Sequence, residues 1–205
     1  MKILCLGPHP DDLEFGASGT LIKYAEAGHD ISLMIMTKGE MGGDPDIRTK
    51  EQEESAKIIG AKKVHWGGYI DTKLPTDSGS IMVVEKVIKE LRPDLIFAPY
   101  QEDTHQDHRN LAVIALSAAR NNRNILFYET PTTSPRFRPN MYSDITGLIK
   151  KKLHSLLAHH SQVMKTNVTD TPIVDMAEAT AIFRGTQARV KHAEGFMSIR
   201  FFLEL

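Results

Sequence analysis

Two short segments of the chain hold an unusual density of imidazole and carboxylate groups. His9, Asp11 and Asp12 fall within Pro8-His9-Pro10-Asp11-Asp12, and His105, Asp107 and His108 within His105-Gln106-Asp107-His108. Imidazole nitrogen and carboxylate oxygen are donors that zinc accepts in a tetrahedral set, and a catalytic zinc keeps one position for water. His9 and Asp12 can supply two protein ligands and His108 the third. Asp11 then stays free beside a water whose pKa falls towards about 7, ready to take its proton as it attacks a carbonyl carbon. His105 is placed to donate a hydrogen bond or positive charge to the oxyanion or the leaving nitrogen. Asp107 suits a supporting role, orienting an imidazole from behind. A set of two histidines and one carboxylate also accepts ferrous iron. Each segment alone has a plainer use, Asp12 as a helix cap and the second pair of histidines as exposed loop residues.

The elements that must position these groups follow from the hydrophobic pattern. Ile3 to Leu6 is an apolar run closed by Gly7 and Pro8, as in a central parallel strand covered on both faces. A helix is predicted from Gly16 to Ala27, stopped by Gly28, then a strand from Ile31 to Met36 and a flexible loop from Thr37 to Gly43. Further helices are predicted over Arg48 to Ile59, Ile81 to Leu91 and Leu111 to Ala119, with strands over Lys63 to Trp66, Leu95 to Ala98 and Ile125 to Tyr128. Such alternation specifies an α/β, Rossmann-like doubly wound, mostly parallel sheet with helices on both faces. Residues 1–130 form that core. Residues 131–205 contain Pro131, Pro135 and Pro139, two helical stretches and a closing strand around Met197 to Phe202, and are expected to pack on the same sheet, making 1–205 a single domain. Ligands of open α/β sheets bind outside the carboxyl ends of the strands. The two segments follow strands one and four, neighbours in a 2-1-4 order, so they should face each other across the switch point.

Bulk properties narrow the function further. With 25 basic and 26 acidic residues in 205, and a formal net charge of -1, the chain lacks the cationic excess of a nucleic-acid binder. No apolar run approaches a membrane span, and the start of the sequence does not read as a signal peptide, so a cytoplasmic protein without membrane insertion is expected. The single Cys5 excludes an internal disulfide and reads as a small buried hydrophobe. Gly7, Gly16 and Gly19 have the wrong spacing for a dinucleotide fingerprint. Phe201-Phe202-Leu203 is a candidate subunit contact of a homo-oligomer.

The run from Pro8 to Asp12 with Glu14, Gly16 and Gly19-Thr20-Leu21, followed by His105-Gln106-Asp107-His108-Arg109, resembles the PIG-L/LmbE-like family of zinc-dependent N-acetylglucosamine deacetylases. The resemblance covers nearly the whole chain. Weaker echoes are Thr37-Lys38-Gly39-Glu40, Arg48 with Glu51, His159 with Ser161-Gln162, and Ala193-Glu194-Gly195-Phe196. It implies that His9, Asp12 and His108 hold zinc, that Asp11 is the general base and that His105 stabilises the charged intermediate. It also implies that Glu40, Arg48 and Asp71 contact sugar hydroxyls or an attached group, and that the substrate is a small N-acetylated amino sugar or its conjugate. A zinc amidase acting on a larger acyl or thiol conjugate would use the same metal set, whereas a metal-free sugar- or nucleotide-binding module would not need it. The sequence departs from some relatives where they carry a catalytic tyrosine two residues before the first histidine of the second motif. Here that residue is Asp103. Of His154, His159, His160 and His192, His159 stands out by its family-like segment; the others are expected to be structural or exposed.

Overall fold

The order of elements in the computed structural model, which describes residues 1–202, is β1 (Lys2–Gly7), α1 (Asp12–Glu26), β2 (Asp30–Thr37), α2 (Pro45–Ile59), β3 (Lys63–Tyr69), α3 (Ser78–Leu91), β4 (Leu95–Pro99), α4 (Gln106–Ala118), β5 (Ile125–Tyr128), β6 (Met141–Asp144), α5 (Ile149–Leu157), α6 (Ile173–Ala188) and β7 (Ala193–Arg200). The strands form one seven-stranded sheet in the order β3-β2-β1-β4-β5-β7-β6. β1 pairs in parallel with both β2 and β4, so the strand order reverses at β1 and β4 and opens a crevice at their carboxyl ends.

Alternation along the central strands divides the core between two faces. Leu4, Leu6, Met34, Met36, Ile96 and Ala98 pack with α3 and α4 through Val84, Ile88, Leu111 and Ala115. Ile3, Cys5, Ile31, Leu33 and Phe97 pack with α1 and α2 through Leu13, Leu21 and Ile59. α1 is buried without interruption from Asp12 to Ile22, because α5 lies across its outer side. It also approaches the sheet closely at Gly16, where an added Cβ would come within 2.2 Å of the Tyr128 ring.

The helices begin three to five residues earlier than the apolar period indicates, since polar residues interrupt their first turns: α1 starts at Asp12, α2 at Pro45, α3 at Ser78 and α4 at Gln106. The closing strand β7 runs from Ala193 to Arg200, antiparallel to β5 and to β6, a short edge strand that the sequence pattern does not announce. Phe201 and Phe202 are exposed, and Leu203 lies outside the described residues. No helix among the described residues is long and apolar enough to cross a membrane.

A buried ion pair joins the C-terminal segment to α1. Lys152 on α5 lies 2.7 Å from Glu194 on β7, and its Nζ also donates to the carbonyls of Glu14 and Phe15. The Glu194 carboxylate in turn accepts from the backbone N–H groups of Gly19 and Thr20 at 2.9 and 2.7 Å. Both charges are satisfied, as a buried pair requires.

Candidate active site

The two histidine-bearing segments meet at the switch point. The first leaves β1 at Gly7 and is tied to the end of β2, where the Thr37 N–H and hydroxyl both donate to the Pro8 carbonyl. Asp12 does not cap its helix: the N-cap position is Asp11, which makes no side-chain capping bond. The Asp12 carboxylate instead divides between two imidazoles. Its Oδ2 lies 2.9 Å from His9 Nδ1, and its Oδ1 lies 3.3 Å from His108 Nε2. The carboxylate thus brings a donor oxygen to each imidazole, one from each side. His9 and His108 are buried, and candidate donor atoms of His9, His105 and His108 lie within 4.8 Å of one another. The histidine and carboxylate groups gathered here, His9 with His105 and His108 and His9 with Asp71 and Asp107, could hold a metal ion, and the Asp12 carboxylate lies between two of these imidazoles.

Carboxylates back this cluster. Asp107 Oδ2 accepts from His9 Nε2 at 3.2 Å, while the backbone N–H groups of Thr72 and Leu74 hold the same carboxylate. Asp71 Oδ1 sits 3.0 Å from His9 Nε2, and its Oδ2 accepts from the Met41 N–H. Burial works against charging His9, yet the bonds to Asp107, Asp12 and Asp71 hold its pKa well above the usual imidazole range. Burial likewise opposes charging His108, but the Asp12 and Asp103 carboxylates push it up to about 9. The pocket therefore strongly favours positive charge, whether a proton or a divalent cation supplies it.

Asp11 differs from Asp12 in every respect. Its backbone adopts φ 94° and ψ -25°, a left-handed conformation that costs a non-glycine residue on the order of 1–3 kcal/mol. Arg48 on α2 holds it there by donating Nη2 to the Pro10 carbonyl at 2.7 Å and to Asp11 Oδ2 at 3.2 Å. Nη1 of the same guanidinium donates to Gly39, whose φ of 66° and lack of a side chain admit the close approach. Burial raises the Asp11 pKa to about 6, with Arg48 pulling it down and Asp12 pushing it up. A carboxylate near that value matches a general base operating around neutrality.

His105 forms the N-cap of α4, its Nδ1 accepting the Asp107 N–H at 3.2 Å. Nε2 is therefore the nitrogen that carries hydrogen and can donate. Its ring centroid lies 4.7 Å from that of His9 and 4.8 Å from that of His108. Burial, followed by the charges of His9 and His108, keeps His105 below the usual imidazole pKa.

These groups line a cleft of about 360 Å³. His9, Asp11, Asp12, His105 and His108 form its chemical end, Arg48 and Asp71 border them, and Met41, Thr132, Gln162, Lys165 and Ile173 build the outer walls. Arg48 and Asp71, for which the sequence expectation is a contact with sugar, line the cleft and at the same time reach Asp11 and His9. Glu40 is half-buried and does not border the cleft.

The weak echoes of the sequence also converge. Glu51 accepts from both the N–H and the hydroxyl of Ser161 at 2.7 Å, delivering Gln162 to the cleft wall. His159 is buried behind the cleft with Nε2 3.4 Å from Glu14, which also accepts from Gln52 and Ser55. Asp103, Thr130, Gln162 and Lys165 were not identified as site residues from sequence. A carboxylate two residues before His105 was the available signal for Asp103; Thr130, in a Pro/Thr-rich connection, gave none.

The arrangement defines a hydrolytic site on a Rossmann-like sheet. Residues 4–119 match the family described as PIG-L: GlcNAc-PI de-N-acetylase, and the chain belongs to that family. It is 30% identical over 192 residues to the diacetylchitobiose deacetylase of Thermococcus kodakarensis, covering 78% of this chain and 70% of the relative. Its fold is similar to that of a conserved protein of Thermus thermophilus, with a TM-score of 0.89, 27% identity and coverage of 99% and 96% of the two chains. The N,N'-diacetylchitobiose deacetylase of Pyrococcus horikoshii superposes with a TM-score of 0.86 at 29% identity, covering 97% of this chain and 84% of the other.

Proposed function

We propose that this protein is a zinc-dependent deacetylase that hydrolyses the N-acetyl amide of an N-acetylglucosamine-type amino sugar or its conjugate. The observation that carries the reading is the Asp12 carboxylate shared between His9 and His108, with the strained Asp11 beside it in an open cleft. Family membership and the similarity to diacetylchitobiose deacetylases support the acetamido sugar as substrate. Similarity to a probable N-acetyl-alpha-D-glucosaminyl L-malate deacetylase of Bacillus anthracis, 28% identical over 190 residues, extends the range to conjugates.

His9, Asp12 and His108 would hold the metal, which when bound supplies Lewis acidity towards a carbonyl and acidifies water. The Asp11 carboxylate removes a proton from the attacking water, and its raised pKa makes it basic enough to do so. His105 Nε2–H donates to the oxygen that gains charge as the carbonyl carbon becomes tetrahedral. A proton then reaches the departing amine from Asp11 or His105. Asp107 and Asp71 hold the His9 ring, while Arg48 fixes the peptide that carries Asp11.

The test is acetate release by the zinc-loaded chain from N-acetylglucosamine, diacetylchitobiose, an N-acetylglucosaminyl malate and a nucleotide-linked N-acetylglucosamine. Turnover of at least one, abolished by a chelator and restored by zinc, is expected. No release from any of them by protein of confirmed zinc content would refute the assignment.

A further inference from the structure

His108 is held from behind by Asp103 and Thr130. Its Nδ1 faces Asp103 Oδ2 at 3.1 Å and Thr130 Oγ1 at 3.2 Å. The hydroxyl hydrogens are already committed: Thr130 donates to Asp103 Oδ2 at 2.9 Å, and Thr133 donates to the same oxygen at 3.0 Å. Asp103 and Thr130 therefore present lone pairs to Nδ1, with the Thr132 hydroxyl farther off at 3.5 Å. Nδ1 thus carries a hydrogen towards Asp103, and Nε2 is the nitrogen aimed at Asp12 and the cleft, where it can serve as the ligand atom once a cation replaces its proton. The Asp103 side chain is fully buried, and its Oδ1 accepts the backbone N–H of His105 at 2.8 Å. The loops after β4 and β5 are zipped around this carboxylate by a bridge between Asp103 and Thr133 and by a bond from Thr104 N–H to the Thr132 carbonyl.

We propose that Asp103, acting directly and through the Thr130 hydroxyl, is the positioning residue that fixes the tautomer and orientation of His108 as a ligand. The inference rests on the metal reading above but names residues outside it. Neither Asp103 nor Thr130 lines the cleft. Their effect passes through the basicity and aim of one imidazole nitrogen, as carboxylates behind metal-ligating histidines do elsewhere.

The experiment measures zinc affinity by competition with a chromophoric chelator for metal-stripped wild type, Asp103→Asn, Thr130→Val and Thr130→Ser. The visible spectrum of each cobalt-loaded protein and the melting temperature of each stripped protein are recorded alongside. Asp103→Asn and Thr130→Val should weaken zinc binding by about 10–100-fold and shift the cobalt bands. Thr130→Ser should restore both, and stripped Thr130→Val should melt within a few degrees of wild type. Wild-type zinc affinity and cobalt spectrum in Asp103→Asn and Thr130→Val would overturn the proposal. So would a loss of affinity in Thr130→Val that serine does not rescue and that parallels a collapse in melting temperature. A wild-type chain that takes up no zinc is a distinct result, and removes the metal reading together with the inference built on it.

Discussion

Arg48 Nη2 lies 3.2 Å from Asp11 Oδ2 and only 2.7 Å from the Pro10 carbonyl, so one buried guanidinium grips both the carboxylate of the proposed base and the peptide preceding it. The grip runs from α2 to the loop after β1, across the gap where Gly39 leaves room for the guanidinium. Arg48→Lys cannot reproduce the fork. Turnover should fall by about ten-fold or more through kcat, with KM little changed, because the substitution misplaces Asp11 rather than removing a sugar contact. Steady-state kinetics on acetate release would show it, and a change confined to KM would return Arg48 to the substrate.

Asp11→Ala should keep the metal and lose turnover by about two to four powers of ten, the range associated with a positioned base. Metal analysis of the purified variant, beside a deacetylation assay, separates a lost base from a lost ion.

The raised pKa of Asp11 has consequences on both activity and stability. A divalent cation alongside can only lower the value of about 6, so the acid limb of kcat/KM should be centred at or below that pH, with activity rising as Asp11 ionises. In the metal-free protein, the folded state retains the Asp11 proton up to about pH 6, whereas the unfolded chain releases it near 3.8. Stability therefore falls as pH climbs between those values, by about 3 kcal/mol when complete. Stripped Asp11→Asn should melt a few degrees above wild type at pH 7.5 and lose that advantage near pH 3.5. Calorimetry at the two pH values checks the sign.

His105→Ala should retain zinc and lose about 10²–10³ in kcat, the effect of removing one donor to a developing oxyanion. His105→Gln can present an N–H from a similar position and should recover part of the loss. Equal activity of the alanine variant and wild type would exclude the role.

Lys152→Met should destabilise the protein by about 3–5 kcal/mol, since it strands the buried Glu194 carboxylate without its cation. Denaturant unfolding at neutral pH measures this.

The parallel core was legible because Ile3 to Leu6 and Leu95 to Ala98 are unbroken apolar runs and Ile31 to Met36 is broken only by Ser32, short runs bounded by turn residues as in strands covered on both faces. The convergence of His9, Asp12 and His108 followed from placing their loops at adjacent strand ends. Helix starts were less legible: the first turns of α1 and α4 hold Asp12, Asp107 and His108, polar residues selected by the site and invisible to an apolar period. β6 was missed because Met141-Tyr142-Ser143-Asp144 is a half-exposed edge segment whose strand character comes from pairing with β7. The contacts of Arg48 with Asp11 and of Asp71 with His9 depend on distances across loops, which spacing along the chain does not encode.

The cleft divides its labour along the chain. Every side chain proposed to act on the amide or hold the cation comes from the first 108 residues, while Thr132, Gln162, Lys165 and Ile173 in its outer wall come from beyond β5. Evolution could therefore remodel that wall to admit another aglycone and leave the hydrolytic machinery in place. Transplanting residues 160–173 between relatives with different preferences becomes a practical route to new specificity.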